Sequence, residues 1–159
     1  MKSSKEFAKE IRLETLKMVY GAKASHIGGA FSMADILSVL YNEVLNIDPS
    51  YPNDENRDRF LLSKGHACTS LYATLALKGF FPLGQLTTYA KDGSLLLSHT
   101  SHYVPGVEIS AGSLGHALPV SVGIALAAKR KDKPWKTCCL VSDGELNEGS
   151  NWESILLAP

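Results

Sequence analysis

The stretch TCCLVSDGE, residues 137–145, decides the fold class of this chain. Its first five residues favour β-structure and predict a short buried strand of a parallel sheet. Asp143 and Gly144 end that strand, and a helix is predicted from Gly149 onward. In open α/β sheets ligands bind outside the carboxyl ends of the strands, where a carboxylate can hold Mg²⁺ against phosphates. Taken alone, the Asp-Gly pair is more often a simple turn. The stretch therefore predicts an α/β domain with a candidate ligand site behind this strand.

The segments before residue 137 predict mostly helices. Ser3 and Glu6 have the spacing of a capping box at the start of an amphipathic helix. Ser32 is predicted to cap a second helix, and the Gly-containing residues before it, 24–31, are predicted to form a loop. Further helices are predicted over 67–78 and from about 116 to 131, with an extended segment over 59–63. One clear strand does not make a sheet, so we expect a domain truncated at its C-terminal side.

Composition and charge exclude several classes of protein. The chain has 159 residues, enough for one domain or part of a larger one, and its 45% hydrophobic content argues against disorder. Sixteen basic residues balance sixteen acidic ones, which gives no support for nucleic acid or an anionic membrane as partner. No apolar run approaches the ~20 residues of a membrane span, and the N-terminus lacks a signal peptide. Three cysteines, two of them adjacent, fit a reducing cytoplasm.

Five histidines lie beside Gly, Ser or Thr rather than in helical stripes. They are His26, His66, His99, His102 and His116. A single such histidine is usually a surface residue, but five at glycine-rich junctions predict a shared polar pocket. Residues 91–115 form a long irregular stretch, and a loop longer than ~12–15 residues is usually functional or disordered. Because this one carries two of the histidines, we favour function.

Five segments in this order resemble one family. They are SHIGG at 25–29, FSMADILSVLYNEVL at 31–45, DRFLLSKGHA at 58–67, PGVEISAGSLGH at 105–116 and SDGELNEGSNWE at 142–153. Together they resemble the N-terminal, cofactor-pyrophosphate-binding half of transketolase. The chain is similar to the split transketolases, in which the N- and C-terminal halves are separate chains. Deoxyxylulose-phosphate synthases share the architecture but match these segments less well.

The resemblance implies a thiamine-diphosphate-binding fold, an α/β domain with a parallel sheet flanked by helices. Residues 1–159 would form a single, incomplete pyrophosphate-binding domain. It implies thiamine diphosphate and Mg²⁺, or another divalent cation, as cofactors, with the thiazolium ring acting as an electron sink. The implied reaction moves a two-carbon ketol unit from a ketose phosphate to an aldose phosphate of the pentose phosphate pathway. The implied partners are sugar phosphates and a C-terminal transketolase subunit, in a homo- or hetero-oligomer.

The resemblance also assigns the residues of the cofactor site. Asp143 would ligate the metal, and Gly144 would pack beside the diphosphate. His66 would contact the diphosphate or the reaction centre. Gly112 and Leu114 would line the cofactor.

Further residues are assigned to the substrate and to an oligomer contact. His26 would hydrogen-bond the substrate carbonyl or hydroxyls. His99 matches the family histidine six residues before the Pro-Gly pair and would also serve the substrate, with His102 as the alternative register. Glu148 matches a glutamate near the dimer contact that couples two cofactor sites. A carboxylate that stabilises the start of a helix explains Glu148 equally well.

Some positions depart from the family pattern. Ser142 and Ser25 stand where the family commonly has glycine. A later asparagine that completes metal ligation has no counterpart after Gly144, and neither does the glutamate that the C-terminal half supplies. We therefore expect no activity without the C-terminal half. The alternative hypothesis is a non-catalytic remnant or binding module, which the missing asparagine supports and the retained histidines oppose.

Overall fold

The computed structural model describes residues 2–158, so the predicted domain limits at Met1 and Pro159 lie outside the described residues. Within these residues the strands are β1 (Arg59–Leu62) and β2 (Thr137–Leu140). The α-helices are α1 (Ser4–Gly21), α2 (Ile27–Phe31), α3 (Ala34–Val39), α4 (Cys68–Lys78), α5 (Ala117–Arg130) and α6 (Gly149–Leu157). A π-helical turn, Leu40–Val44, continues α3, and 3₁₀ turns lie at Gly65–Ala67, Leu83–Thr88 and Gly144–Asn147.

The two strands are parallel, as expected for an α/β domain. Arg59 lies opposite Thr137 and Leu62 opposite Leu140. The Ser63 amide then donates to the Leu140 carbonyl at 2.9 Å. Because the strands run in the same direction, the residues that follow each of them meet at one edge of the sheet.

The burial predicted for β2 is wrong. The side chains of β1 after its first residue are buried, whereas every residue of β2 is half-exposed. Within residues 2–158 β2 pairs only with β1, so its other edge has no neighbouring strand. A strand covered on one side excludes less water than a central strand of a parallel sheet.

The core is built around α4. All its residues from Cys68 to Ala76 are buried, which suits a helix that is apolar or small on every side. Helix α1 packs on it through an apolar stripe, and Thr15 and Ser70 pair their buried hydroxyls at 3.1 Å. Gly79 ends α4 in the left-handed conformation, with φ of +96°, where glycine costs least.

The predicted start of α1 is confirmed. The Ser3 hydroxyl accepts from the Glu6 amide, and the Glu6 carboxylate accepts from the Ser3 amide, so both halves of the capping box form. No described helix is long and apolar enough to span a membrane.

Two expectations between residues 24 and 36 are wrong. The predicted loop contains the short helix α2, whose Gly29 carbonyl accepts from the Lys64 ammonium at 3.1 Å. Ser32 does not cap the next helix, because its hydroxyl donates back to the Gly29 carbonyl at 2.9 Å. Met33 takes the cap position, and α3 begins at Ala34.

Candidate functional site

The carboxyl ends of β1 and β2 create a shared edge that carries the predicted chemistry. Residues 63–66 leave β1, and residues 142–145 leave β2. Residues 111–115 of the long irregular stretch pack against them. We call these three segments together the strand-end site.

Three of the five histidines come together at the first of these segments. His66 lies in the 3₁₀ turn after β1, and its ring centroid is 5.1 Å from that of His26. Gly29 packs beside this ring, because a Cβ there would stand 3.8 Å from the His66 Nε2, an ordinary contact distance. His99 is close enough for its charge to lower the pKa of His66. The Tyr72 hydroxyl donates to the His99 carbonyl at 2.7 Å and fixes the backbone there.

The other two histidines hold the irregular stretch instead. His102 pairs its Nδ1 with the Ser110 hydroxyl at 2.9 Å. His116 places its Nδ1 2.8 Å from the Leu114 carbonyl, to which it can donate. Of the five histidines, three therefore lie near one another and the other two bond within the irregular stretch, while a shared pocket stays a prediction.

The surroundings of His66 favour its neutral form. Burial is the largest cause that lowers its pKa from the ordinary value of 6.5. Positive charges on His26, His99 and Lys64 lower the pKa further, and the Glu145 carboxylate opposes them. A neutral imidazole can donate from one ring nitrogen and accept at the other. His66 is therefore suited to hydrogen-bond a ligand near neutral pH.

We expect the His66 imidazole to titrate below pH 6.5 in a proton NMR titration. The folded protein binds this proton less readily than the unfolded chain does. His66 therefore contributes stability that is present above pH 6.5 and is lost as the pH falls through the lowered pKa. His26→Asn should move the His66 pKa back towards 6.5 by removing one neighbouring charge. Asn tolerates the left-handed backbone that His26 adopts, with φ of +67°. A His66 pKa at or above 6.5 in the wild type would contradict this account.

The second segment presents an exposed carboxylate. Asp143 follows β2 and leads into the 3₁₀ turn Gly144–Asn147, with its side chain exposed to solvent. Burial of the ammonium is the largest cause of the lowered pKa of Lys64, and the charges of Asp143 and Glu145 oppose it. The Asp143 carboxylate is thus exposed at this edge of the sheet, whereas the Lys64 ammonium is buried and donates to Gly29 and Ser32. An exposed carboxylate suits a metal ion that is shared with a phosphate-bearing ligand.

Close backbone approach fixes the third segment. A Cβ at Gly65 would lie 2.0 Å from the Ala111 carbonyl oxygen, so only glycine fits there. Gly115 has φ of +77°, and a Cβ on it would meet the Ser150 hydroxyl at 2.7 Å and the Glu148 Cβ at 2.8 Å. The Ser150 hydroxyl also donates to the Gly115 carbonyl at 2.6 Å. Residues 111–115 are therefore held against both the turn after β1 and the start of α6.

The remaining predicted site residues lie on or beside this third segment. Leu114 is half-buried and Gly112 is exposed with open space around it. Glu148 occupies the cap position of α6 with an exposed side chain. The structure thus places Gly112 and Leu114 on the third segment and Glu148 beside it, and their roles stay predictions.

Sequence reasoning missed Glu145 and Lys64 as parts of the site. Glu145 is fully buried, and the Lys64 ammonium donates to the Ser32 hydroxyl at 2.9 Å. Both residues follow closely after a strand. Adjacency to a strand end was the one available signal, and it does not show that a charged side chain turns inward.

The donor set fits one kind of metal site. Among the described residues no group of three or more His, Cys, Asp or Glu side chains could hold a metal ion. A closed protein cage is therefore a poor fit. Mg²⁺ is usually bound by one or two carboxylates, several waters and the phosphates of its ligand. The single carboxylate of Asp143 is sufficient for such an arrangement.

The fold and this edge define a class: an α/β domain with a candidate ligand site at the carboxyl ends of its parallel strands. A family model described as the thiamine diphosphate binding domain of transketolase matches residues 3–159. The chain belongs to the transketolase family. The family and the fold predicted from the five sequence segments are thereby confirmed.

Relatives and solved structures agree with this assignment. One of the subunits of an apulose-4-phosphate transketolase from Phocaeicola vulgatus is 43% identical over 145 residues, which cover 91% of this chain and 52% of that protein. The 6-deoxy-6-sulfo-D-fructose transketolase subunit SqwG of a Clostridium species is 39% identical over 152 residues, 95% of this chain and 55% of that protein. The chain spans about half the length of these curated relatives.

Solved transketolases share the fold over nearly all of this chain. The enzyme from Leishmania mexicana superposes with a TM-score of 0.92 at 34% identity, covering 99% of this chain and 25% of that one. The enzyme from Campylobacter jejuni gives 0.92 at 35% identity, with 99% and 26% covered. This agreement supports the parallel arrangement of β1 and β2.

Proposed function

We propose that this chain is the N-terminal, thiamine-diphosphate-binding part of a transketolase that works with a C-terminal partner subunit. The reaction is transfer of a two-carbon ketol unit from a ketose phosphate to an aldose phosphate. The observation that carries the proposal is the position of Asp143, Gly144 and His66, which follow the carboxyl ends of two parallel strands. Relatives that are named as individual subunits of transketolases support the division into two chains.

The strand-end site offers several of the groups that would hold thiamine diphosphate and Mg²⁺, or another divalent cation. The Asp143 carboxylate would hold the cation, and Gly144 would let the backbone approach the diphosphate. His66 would donate to a phosphate oxygen or at the reaction centre, and Gly112 and Leu114 would line the cofactor. When bound, thiamine diphosphate supplies the electron sink for cleavage beside a carbonyl.

The exposed histidines are assigned to the substrate. His26 and His99 would hydrogen-bond the hydroxyls or carbonyl of a sugar phosphate. We prefer His99 to His102, because His99 acts on the pKa of His66 whereas His102 pairs with Ser110. Glu148 is assigned to coupling between cofactor sites in an oligomer.

The cysteines bear on the compartment in which the protein would work. Cys68, Cys138 and Cys139 are all free thiols, which supports a reducing cytoplasm. Sugar phosphates of the pentose phosphate pathway stay predicted substrates.

The proposal is tested by measuring ketol transfer between sugar phosphates after this chain has been co-purified with a C-terminal transketolase subunit. We expect turnover only when both chains, thiamine diphosphate and Mg²⁺ are present. Removing the metal with EDTA should abolish turnover and adding Mg²⁺ should restore it, because Asp143 would hold the cation that the cofactor diphosphate needs. Metal-dependent binding of thiamine diphosphate without transfer, with the partner present, would favour a binding module instead.

A further inference from the structure

A single buried carboxylate links all three segments of the strand-end site. Glu145 is 0% exposed. Its Oε1 accepts from the Ser63 hydroxyl, and from the Gly115 amide at 2.8 Å. Its Oε2 accepts from the Ser142 amide at 3.0 Å. The donors thus come from the end of β1, from the loop before α5 and from the end of β2.

The backbone of Glu145 is fixed as well. The side-chain amide of the fully buried Asn151, on α6, donates to the Glu145 carbonyl at 2.7 Å. The Glu148 amide donates to the same carbonyl at 3.0 Å. Helix α6 therefore fixes the backbone of Glu145, while its carboxylate bonds to the three segments of the site.

Burial makes these hydrogen bonds interdependent. A buried carboxylate is tolerated when donors replace the water it has lost, and removing one donor leaves an under-satisfied charge. Ser63, Gly115 and Ser142 therefore cannot move apart from one another without that cost. A hydrogen bond to a charged group also contributes more than one between neutral groups.

We infer that Glu145 is the positioning residue of the strand-end site, the group that sets the distance between Asp143 and His66. Asp143 directly follows one of its donors, Ser142, and His66 lies three residues after another, Ser63. Glu145 acts through these neighbours and has no contact with the ligand. Its link to cofactor binding rests on the proposed function.

The test compares Glu145→Gln with Asp58→Asn in the whole chain. Asp58 is a matched control, because it too is buried and accepts from two backbone amides, Asn46 at 2.8 Å and Lys136 at 2.7 Å. It lies at the amino end of β1, away from the strand-end site. Glu145→Gln should weaken binding of thiamine diphosphate with Mg²⁺ by ~10–100-fold in calorimetry, the usual cost of losing a supporting group behind a metal site. Asp58→Asn should leave that affinity within about twofold of the wild type.

Hydrogen exchange of backbone amides supplies a readout that needs no ligand. Glu145→Gln places an NH₂ group against an N–H donor, so the Gly115 or Ser142 amide should lose protection. Asp58→Asn should leave both amides protected. Unchanged protection of Gly115 and Ser142 in Glu145→Gln would overturn the inference, and so would lost protection with wild-type cofactor affinity. A wild-type chain that binds no thiamine diphosphate, alone or with its partner, would refute the proposed function, and the exchange pattern would still decide whether Glu145 holds the segments together.

A milder variant keeps the test decisive if Glu145→Gln does not fold. Ser63→Ala removes one of the three donors and should lower cofactor affinity by about tenfold, at the weak end of that range. Its control is Ser38→Ala, because the Ser38 hydroxyl is equally buried and donates to the Ser4 carbonyl far from the site. Equal affinities for the two serine variants would overturn the inference.

Discussion

Asp143→Ala, assayed with the partner subunit, should lower ketol transfer by about 10²–10³-fold, the usual cost of losing one electrostatic contact to the reacting assembly. Asp143 is the exposed carboxylate at the carboxyl end of β2, where it would hold the cation on the diphosphate. The loss should be largest at low Mg²⁺ concentration and should shrink as Mg²⁺ is raised. Initial rates at several Mg²⁺ concentrations measure this effect.

Glu55→Ala provides the control for Asp143→Ala. The Glu55 side chain is 85% exposed and lies near Lys133, so its removal changes the net charge equally without touching the site. We expect wild-type rates from it. Wild-type turnover by Asp143→Ala at low Mg²⁺ would show that another group holds the metal.

Gly65→Ala should destabilise the fold by about 3 kcal/mol or more, at the upper end of the cost of overpacking. The added Cβ would lie 2.0 Å from the Ala111 carbonyl oxygen and 2.6 Å from its carbon. That carbonyl cannot turn away easily, because Ala111 forms a bridge with Thr100 and its amide is tied to the Thr100 hydroxyl at 3.0 Å. The free energy of unfolding from urea titrations measures the loss.

Gly123→Ala is the matched glycine control. Gly123 lies inside α5 with open space around its Cβ position. Alanine there should stabilise the helix by about 0.5–1 kcal/mol. A free energy of unfolding for Gly65→Ala within about 0.5 kcal/mol of the wild type would show that residues 111–115 do not pack on the turn after β1.

The local elements could be read from the sequence because their causes are local. The capping box at Ser3 and Glu6, the helix α4 and the glycine that ends it each depend on residues only a few turns apart along the chain. The apolar run after Thr137 also forms a strand as predicted. Its half-exposed state could not be predicted, because burial depends on the neighbours of a strand and not on its own residues.

The sequence predictions were wrong where groups distant along the chain compete for the same hydrogen-bonding atoms. Ser32 is a good capping residue by type, but the Gly29 carbonyl and the Lys64 ammonium engage its hydroxyl instead. Lys64 is 32 residues away along the chain. Local preference cannot reveal a contact of that range.

Residue types and their order along the chain were enough to identify the family, the α/β class and the residue types of the candidate site, with Asp143 and Gly144 after a strand. Which of these groups lie together depends on the folded chain. It joined His26, His66 and His99, separated His102 and His116 from them, and turned Glu145 inward. The reason is physical: residue type and spacing act along the chain, whereas burial, charge and hydrogen bonding depend on segments that the folded chain brings together.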